Sequence, residues 1–426
     1  MRLLYFCLAL ALGVSSALSA DETSTGNGID WTVGILYDQL SQDYYLSQID
    51  TLAIDEDSLL TLRKISDETE VPRIKFRFNW APSIADKRYF NLNNVTFMSD
   101  EDLRNNLVLE LDYGSLDISN ETQIRAIIDQ EKTSNTGYVS NLLTARLKPS
   151  ISRGLFFVSR NSFEVVRFDG TDDFNYDYDY IKNYIGLEKE FGLLDYAAFG
   201  YRLDNRIVGD SSRLDLTRHR LVAELSWSPS LLIAIDVQNE FSRILSAKEN
   251  DLDDSWEEYL ESTISLYPGA DWTLRIRDKF EYTVFDTQDV VNFDYIYNTA
   301  ELQISKQPSS STEVFLRPSI VTYWSVSEEY ESYDYNQVAL EYGVDLYPGD
   351  WLWLSASHKI GQRDYGGETD VYYTDYTLNR LNLYADVGIL QNLRLNTIVS
   401  IDWENHETDE DDNVLTMMTV GLDFMF

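Results

Sequence analysis

In several segments of the sequence, charged side chains alternate with apolar ones. These charged residues are the strongest candidates for a functional role. Arg275, Arg277 and Lys279 form one basic stripe, and Glu301 and Glu341 hold equivalent positions in later segments. If stripes of opposite sign faced each other across a pore, their transverse field would select solutes by charge and dipole. If the same side chains paired with one another, they would only neutralise buried charge. The pattern supports both hypotheses equally.

The same alternation supplies further candidates for this charged surface. Each lies in a segment whose intervening positions are mostly apolar, so we expect all of them on one face of a sheet. The candidate pore-lining residues are Arg146, Arg202, Arg218, Arg220, Arg275, Arg277, Lys279, Glu301, Glu341 and Asp386.

Motifs of the common enzyme classes are missing from the sequence. It has no phosphate-binding glycine loop, no Gly-x-Ser-x-Gly elbow, no His-Glu-x-x-His motif and no Cys/His metal cluster. The alternation places His219 and His358 among apolar positions, and His406 lies in an acidic stretch. The sequence therefore predicts a protein that is not an enzyme, with no catalytic residues and no cofactor.

The overall charge argues against one class of partner. The chain carries 72 acidic and 34 basic residues, a formal net charge of −38, so it lacks the basic surface that nucleic acid requires. Its content of 44% hydrophobic and 13% aromatic residues separates it from a disordered acidic tail. A single cysteine, Cys7, rules out a disulfide framework.

Residues 1–20 have the pattern of an export signal. Arg2 gives a positive start, residues 3–14 are apolar, and residues 15–20 are mostly small. The apolar run is too short for a stable membrane-spanning helix, and no other run of about 20 apolar residues follows. We expect cleavage after Ala20, which would remove Cys7.

Period-two alternation dominates the chain after about residue 70. Residues 393–403 and 272–277 alternate apolar with polar side chains, as strands with two unlike faces do. The alternating segments are about 10–14 residues long, which suits strands that cross a bilayer at a tilt better than strands of soluble proteins. The pattern therefore predicts an all-β protein, an up-and-down antiparallel transmembrane β-barrel.

Connections of two kinds follow one another along the sequence. Short turns such as 268–271 and 348–350 contain Pro and Gly, whereas longer connections such as 169–180 and 404–412 are acidic. Outer-membrane barrels typically have short turns at the periplasmic end and longer loops at the extracellular end. We predict 16–18 strands, with 18 preferred if the first begins near Lys87.

The N-terminal segment does not share this regular pattern. We assign residues 71–426 to the barrel and treat residues 21–70 separately. Residues 31–37 alternate and residues 58–65 could form a short helix. The segment could be a periplasmic lead, an extra strand, or a plug in the lumen.

The last residues resemble an assembly signal. Gly421, Leu422, Phe424 and Phe426 end the chain, with the apolar members in register on one face. A terminal Phe with an aromatic residue two positions before it resembles the C-terminal signal of Gram-negative outer-membrane β-barrel proteins. The resemblance implies that the barrel-assembly machinery recognises this strand, and it implies location in the outer membrane.

The acidic loops have two interpretations. They could simply keep an exposed surface solvated. Alternatively, carboxylate oxygens in one loop could hold a divalent cation such as Ca²⁺, in a spacing unlike an EF-hand, and share it with anionic lipopolysaccharide. The candidate ligands are Glu407, Asp409, Glu410, Asp411 and Asp412.

Three functions fit this architecture. The first is a porin-like channel through which small hydrophilic solutes diffuse along a charged lumen. The second is an export pore for a polysaccharide or another polymer, and the third is a closed structural or enzymatic surface barrel. The expected partners are outer-membrane lipid and lipopolysaccharide, and the sequence indicates no oligomeric state.

Overall fold

A computed structural model describes ten segments of the chain. They are residues 29–49, 60–82, 88–128, 136–170, 176–209, 215–246, 254–288, 292–366, 374–407 and 412–425. At residues 29, 38–49 and 60–71 the description covers the backbone alone. The predicted export signal at residues 1–20 lies outside these segments and stays a prediction.

Almost every described residue belongs to a strand or to a short connection between strands. The strands are β1 (Ile29–Ile49), β2 (Leu60–Trp80), β3 (Arg88–Met98), β4 (Asp102–Tyr113), β5 (Leu116–Ile127), β6 (Tyr138–Leu147), β7 (Ser150–Ser152), β8 (Leu155–Phe168), β9 (Tyr178–Glu190), β10 (Tyr196–Val208), β11 (Leu216–Ser230), β12 (Ile233–Ser246), β13 (Ser255–Gly269), β14 (Trp272–Phe285), β15 (Tyr295–Ser309), β16 (Thr312–Ser325), β17 (Tyr335–Gly349), β18 (Leu352–Tyr365), β19 (Tyr376–Leu390), β20 (Leu393–His406) and β21 (Asn413–Met425). A 3₁₀ helix, Glu328–Tyr333, interrupts one connection. Among the described residues, no helix is long and apolar enough to cross a membrane.

The strands form one closed antiparallel barrel of 20 long strands, with β7 as a short addition beside β8. Each long strand pairs with its neighbours in the chain, and β21 pairs with β1 to close the ring. The prediction of an antiparallel transmembrane-type barrel is confirmed, but the count of 16–18 strands is wrong. From residue 88 onward there are 18 long strands, and β1 and β2 supply two more.

The N-terminal segment therefore contributes to the barrel wall. The backbone of residues 29–49 pairs with that of residues 60–80 along their whole length. Barrel strands thus begin at residue 29, upstream of the boundary that we expected at residue 71. The part of residues 21–70 that is described forms strands.

Gly34 marks the seam where the ring closes. Lys75 on β2 reaches across β1 to bind Asp423 on β21, with Nζ 2.9 Å from Oδ2. Gly34 lies between them in the register, and a Cβ atom there would stand 2.2 Å from Oδ1 of Asp423. Because Gly34 has no side chain, an ion pair can span three strands at the seam.

The barrel has a turn end and a loop end. At the turn end, tight turns of two residues such as 270–271 and 350–351 join strands, after Pro-Gly or similar pairs. At the loop end, the connections reach ten residues, as at 128–137 and 366–375. The predicted division into short turns and longer loops is therefore present.

A set of aspartates organises the loop end, and we call them the loop-base aspartates. Each lies immediately before a strand that runs from the loop end back to the turn end. Its Oδ1 atom accepts a hydrogen bond of 2.5–2.9 Å from the backbone N–H of the last residue of the strand before the loop. They are Asp177, Asp215, Asp254, Asp294, Asp334, Asp375 and Asp412. Each one satisfies a backbone donor that has no ladder partner at the point where the strand ends.

Candidate functional site: the charged inner face

Alternation along each strand gives the barrel one polar and one apolar face. On β14, Leu274 and Ile276 point to one side, and Arg275, Arg277 and Lys279 point to the other. Ile276 is 43% exposed, so the apolar side of this strand faces the surroundings of the protein. In a barrel that crosses a membrane the apolar face must meet lipid, so we assign the polar face to the lumen.

The register places all ten candidate pore-lining residues on this inner face. Arg277 lies opposite Glu301, Arg202 opposite Arg220, and their neighbours continue the same face around the ring. Arg146 on β6 and Asp386 on β19 follow the same alternation. Their contact with a passing solute stays a prediction.

Most of these charges are paired with an immediate neighbour. Arg277 binds Glu261 on the adjacent strand at 2.6 Å, and Lys279 binds Glu281 two residues along its own strand at 2.6 Å. Arg394 binds Asp386 at 2.9 Å. The arrangement resembles side-by-side neutralisation more than two stripes facing each other across the lumen.

One arginine that the sequence did not single out links two of the predicted acids. Arg317 on β16 lies between Glu301 and Glu341, at 3.5 Å and 3.1 Å. Its guanidinium also donates to the side-chain oxygen of Gln303. Acidic and basic residues therefore alternate from strand to strand along this part of the wall.

Asp204 forms a deeply buried charged cluster in the wall. Its side chain is 1% exposed, and its carboxylate binds Arg202 at 2.9 Å and also contacts Arg220. Arg220 in turn binds Glu240 at 2.9 Å. The sequence prediction included both arginines but missed Asp204, although Asp204 lies two residues from Arg202 on the same face.

Arg275 differs from its two basic neighbours on β14. Within the described part of the chain it is exposed and has no ion-pair or hydrogen-bond partner. Two neighbours on the same strand, Arg277 and Lys279, each have a carboxylate. Arg275 is thus a basic side chain whose charge is available to a solute.

Two recesses indent the inner face beside predicted residues. One of about 560 Å³ near the turn end is lined by Asp345, Trp353, Asp386 and Arg394, among others. The other, of about 350 Å³, is lined in part by Arg218 and Glu257, which bind each other at 3.3 Å. Both recesses offer charged groups of both signs to water or a polar solute.

At the loop end of the inner face, side chains from six consecutive strands stack in a row that we call the aromatic collar. Its members, from β15 to β20, are Tyr295, Tyr323, Tyr335, Arg363, Tyr376 and His406. The centroids of the first three rings are 5.2 Å and 5.6 Å apart in order, and those of Tyr376 and His406 are 4.8 Å apart. The Cζ atom of Arg363 lies 4.1 Å from the ring centroid of Tyr335 and 5.1 Å from that of Tyr376.

Arg363 holds the aromatic collar together. Its guanidinium lies between two tyrosine rings, which is a favourable cation–π geometry. Its Nε and Nη2 atoms donate to Oε1 of Gln337 at 3.0 Å and 2.8 Å. Gln337 is buried, so this contact fixes the guanidinium plane and braces the loop end of the wall.

The histidines lie where the alternation predicted, apart from His406. His219 and His358 are on the outer face, and their Nδ1 atoms contact the hydroxyls of Tyr201 and Tyr342 at 2.5 Å and 2.9 Å. His406 is the last residue of β20 rather than a loop residue, and it joins the aromatic collar.

The predicted divalent-cation site falls largely outside the described residues. Asp409, Glu410 and Asp411 are not described. Asp412 is a loop-base aspartate that accepts the backbone N–H of His406 at 2.8 Å. In the described segments no group of three or more potential metal ligands occurs together.

The residues of the assembly signal lie on the closing strand. Leu422 and Phe424 are on the outer face of β21, opposite Ile35 and Val33 of β1. Gly421 points inward, and Phe426 lies outside the described residues. Recognition of this strand by an assembly machinery stays a prediction.

Comparison with solved structures identifies the architecture. No protein-family model and no curated protein matches the chain. The FrpB iron transporter of Neisseria meningitidis matches with a TM-score of 0.57, 9% identity and coverage of 95% of this chain and 81% of that one. The fold is that of Gram-negative outer-membrane β-barrels.

Two further solved structures match the chain. The siderophore receptor PirA of Pseudomonas aeruginosa matches with a TM-score of 0.52, 10% identity and coverage of 95% of this chain and 81% of that one. OpdQ of Pseudomonas aeruginosa matches with a TM-score of 0.47, 8% identity and coverage of 93% and 98%. At these identities the similarity concerns the fold alone.

Proposed function

We propose that this protein is an outer-membrane channel through which small hydrophilic solutes diffuse. The observation that carries the proposal is a closed ring of 20 strands with a charged inner face and short connections. The proposal includes export with loss of residues 1–20 and insertion with the acidic loop end facing outward. There the loops would meet lipopolysaccharide and its divalent cations.

The ring is wide enough for a water-filled lumen. Neighbouring strands are about 4.8 Å apart and barrel strands tilt by roughly 40°. Twenty strands then give a backbone circumference of roughly 125 Å, or a diameter of about 40 Å if the ring is round. Barrels of 16–18 strands already leave an aqueous channel.

The connections in the described part of the chain are too short to fill this lumen. None of the connections between its long strands exceeds ten residues. Outer-membrane transporters with about 22 strands carry a plug in the lumen. A chain segment of ten residues could narrow the passage but could not replace a folded plug.

The paired inner charges favour a channel of broad selectivity. Because opposite charges such as Arg317 and the two glutamates that it binds, Glu301 and Glu341, lie side by side along the wall, their fields partly cancel at the centre of a wide lumen. Neutral polar solutes would pass with little discrimination beyond size. The acidic loops would add a weak preference for cations at low salt.

Swelling of proteoliposomes tests the proposal. Purified protein is inserted into vesicles loaded with an impermeant polymer, and the vesicles are diluted into isotonic solutions of sugars of increasing size. We expect rapid swelling with monosaccharides and slower swelling as the sugar grows. Absence of swelling with the smallest sugar, in vesicles shown to contain folded barrel, would instead indicate a closed surface barrel.

A further inference from the structure

The outer face of β3–β6 carries polar side chains where lipid contact calls for apolar ones. We call this set the amide patch. The register places its members on the same face as Leu92, Leu109 and Ile118, near the middle or toward the loop side of their strands. The members are Asn94, Thr96, Asn105, Asn120, Thr122 and Asn141.

The amide patch consists of one hydrogen-bonded motif built twice. In the first, Asn94 and Asn105 exchange amide hydrogen bonds of 3.3 Å and 3.2 Å, and Asn105 also donates to Thr96 at 2.7 Å. Thr96 donates to Asn94 at 3.2 Å.

The second motif repeats this pattern two strands further on. Asn120 and Asn141 exchange bonds of 3.1 Å and 3.3 Å. Asn141 donates to Thr122 at 2.8 Å, and Thr122 donates to Asn120 at 3.4 Å. Two identical motifs on neighbouring strand pairs form a single polar surface.

The two amides of each motif leave one donor and one acceptor position unused among the hydrogen bonds of the described residues. A carboxamide has two N–H donors and two acceptor positions on its oxygen. Asn94 uses one donor and both acceptor positions, whereas Asn105 uses both donors and one acceptor position. Lipid tails cannot satisfy the remaining N–H and lone pair, and such unsatisfied groups are costly in hydrocarbon.

The strands that carry the amide patch are also the shortest of the long strands. β3 to β6 have 10–12 residues, whereas β8 to β21 have 13–15. The wall is therefore lower on this side than along β8 to β21, although strands of 10–12 residues still span an apolar band about 25 Å tall. A wall that is low relative to the bilayer is relieved by local thinning of the bilayer or by association with another protein.

We propose that the amide patch is an interface between two copies of this chain within the membrane. Because each motif offers one donor and one acceptor, the surface is complementary to itself, as a two-fold contact requires. It carries no charge, so it selects neither a charged partner nor a lipid headgroup. Four strands and an apolar band about 25 Å tall bury roughly 1,000 Å² in a pair, which reaches the size of a specific interface.

Cross-linking in native membranes tests the contact directly. Leu107 lies between the two motifs and is 36% exposed. In a Leu107→Cys variant, the only other cysteine of the sequence is Cys7. We expect oxidation to give a cross-linked species of two copies, whereas no cross-link in membranes that contain folded barrel would overturn the proposal.

A pair of substitutions tests the role of the amides. Asn105→Leu combined with Asn141→Leu removes the amide that bridges each motif, and we expect association in mild detergent to weaken at least tenfold by light scattering. The matched control is Asn239→Leu with Asn298→Leu, which removes outer-face amides from β12 and β15. A monomeric parent protein, an unaffected amide-patch variant, or dissociation by the control pair would each contradict the proposal.

Discussion

At the scale of single residues, most charges of the inner face are paired with a neighbour, and Arg275 is an exposed exception. Arg277, Lys279 and Arg317 each have a carboxylate within 3.5 Å, whereas Arg275 does not. A charge that is already paired contributes little field at the centre of a wide lumen. Arg275 is therefore an exposed basic residue through which a single substitution should change conduction.

We predict that Arg275→Gln makes the channel more cation-selective and leaves its stability unchanged within about 0.5 kcal/mol. The measurement is the reversal potential in a gradient of KCl, which should shift at low salt. The shift should vanish near 1 M salt, where the Debye length is about 3 Å. Arg167→Gln serves as the control, because Arg167 lies on the outer face. An equal shift in both variants would refute the assignment of Arg275 to the conducting path.

Asp204 should matter for stability more than any exposed charge. Asp204→Asn leaves Arg202 and Arg220 with less compensation in a buried site, and we expect a loss of about 3 kcal/mol in the free energy of unfolding. The measurement is urea unfolding in detergent followed by tryptophan fluorescence. Asp179→Asn, which breaks an exposed pair with Arg167, should cost less than about 1 kcal/mol. Similar losses in the two variants would show that burial of Asp204 is not decisive.

Lys148, in the connection after β6, gives a prediction about pH. Burial works to lower the pKa of Lys148, but hydrogen bonds and charge from Glu188 and Glu190 outweigh it and raise the pKa above the ordinary 10.5. The ion pairs therefore stabilise the fold fully below pH 10.5 and lose their effect as pH rises through the raised pKa. Lys148→Met should lower the Tm at pH 8, and the difference should shrink above pH 10.5. A difference in Tm that is independent of pH would contradict this account.

At the scale of elements, the loop-base aspartates give part of the acidic surplus a structural role. The sequence indicated solvation or cation binding for the acidic loops. The structure shows that the aspartate before each returning strand, from β9 to β21, caps the strand that precedes it. The donor of each cap is a backbone N–H at the end of the strand before the loop. Which N–H lies beside which aspartate depends on how the two strand ends pair, so composition alone could not reveal the caps.

The cap can be tested by comparing two substitutions at Asp294, which is 9% exposed. Asp294→Ala removes the acceptor for the backbone N–H of Phe285, and we expect it to cost about 1–2 kcal/mol. Asp294→Asn retains a side-chain oxygen and should cost much less. Chemical unfolding in detergent measures both, and equal losses would show that the hydrogen bond is not the source of stability.

The elements also show how far sequence reasoning extends. Alternation on β14 correctly separated Ile276 from Arg275 and Arg277, because period two fixes the face of each side chain. It could not identify ion-pair partners such as Arg317, because partners depend on the register between strands. It also left open whether the alternating residues 31–37 belong to a strand, since residues 38–43 are mostly polar and mark no apolar face, although their backbone pairs with β21.

At the scale of the whole molecule, the proposed function rests on closure of the ring. The ring closes through the pairing of β1 with β21 and through the ion pair of Lys75 with Asp423 across Gly34. In this structure β3 and β21 do not pair with each other, and β1 and β2 fill the gap between them. Twenty strands close the wall and enclose a lumen that the described connections are too short to fill.

The most direct test of the central claim is the conductance of the purified, folded protein in a planar lipid bilayer. We predict discrete upward current steps as single barrels insert, with a conductance that rises in proportion to KCl concentration, as expected for a wide aqueous lumen. Bilayers that remain silent while insertion of folded barrel is demonstrated independently would contradict the account.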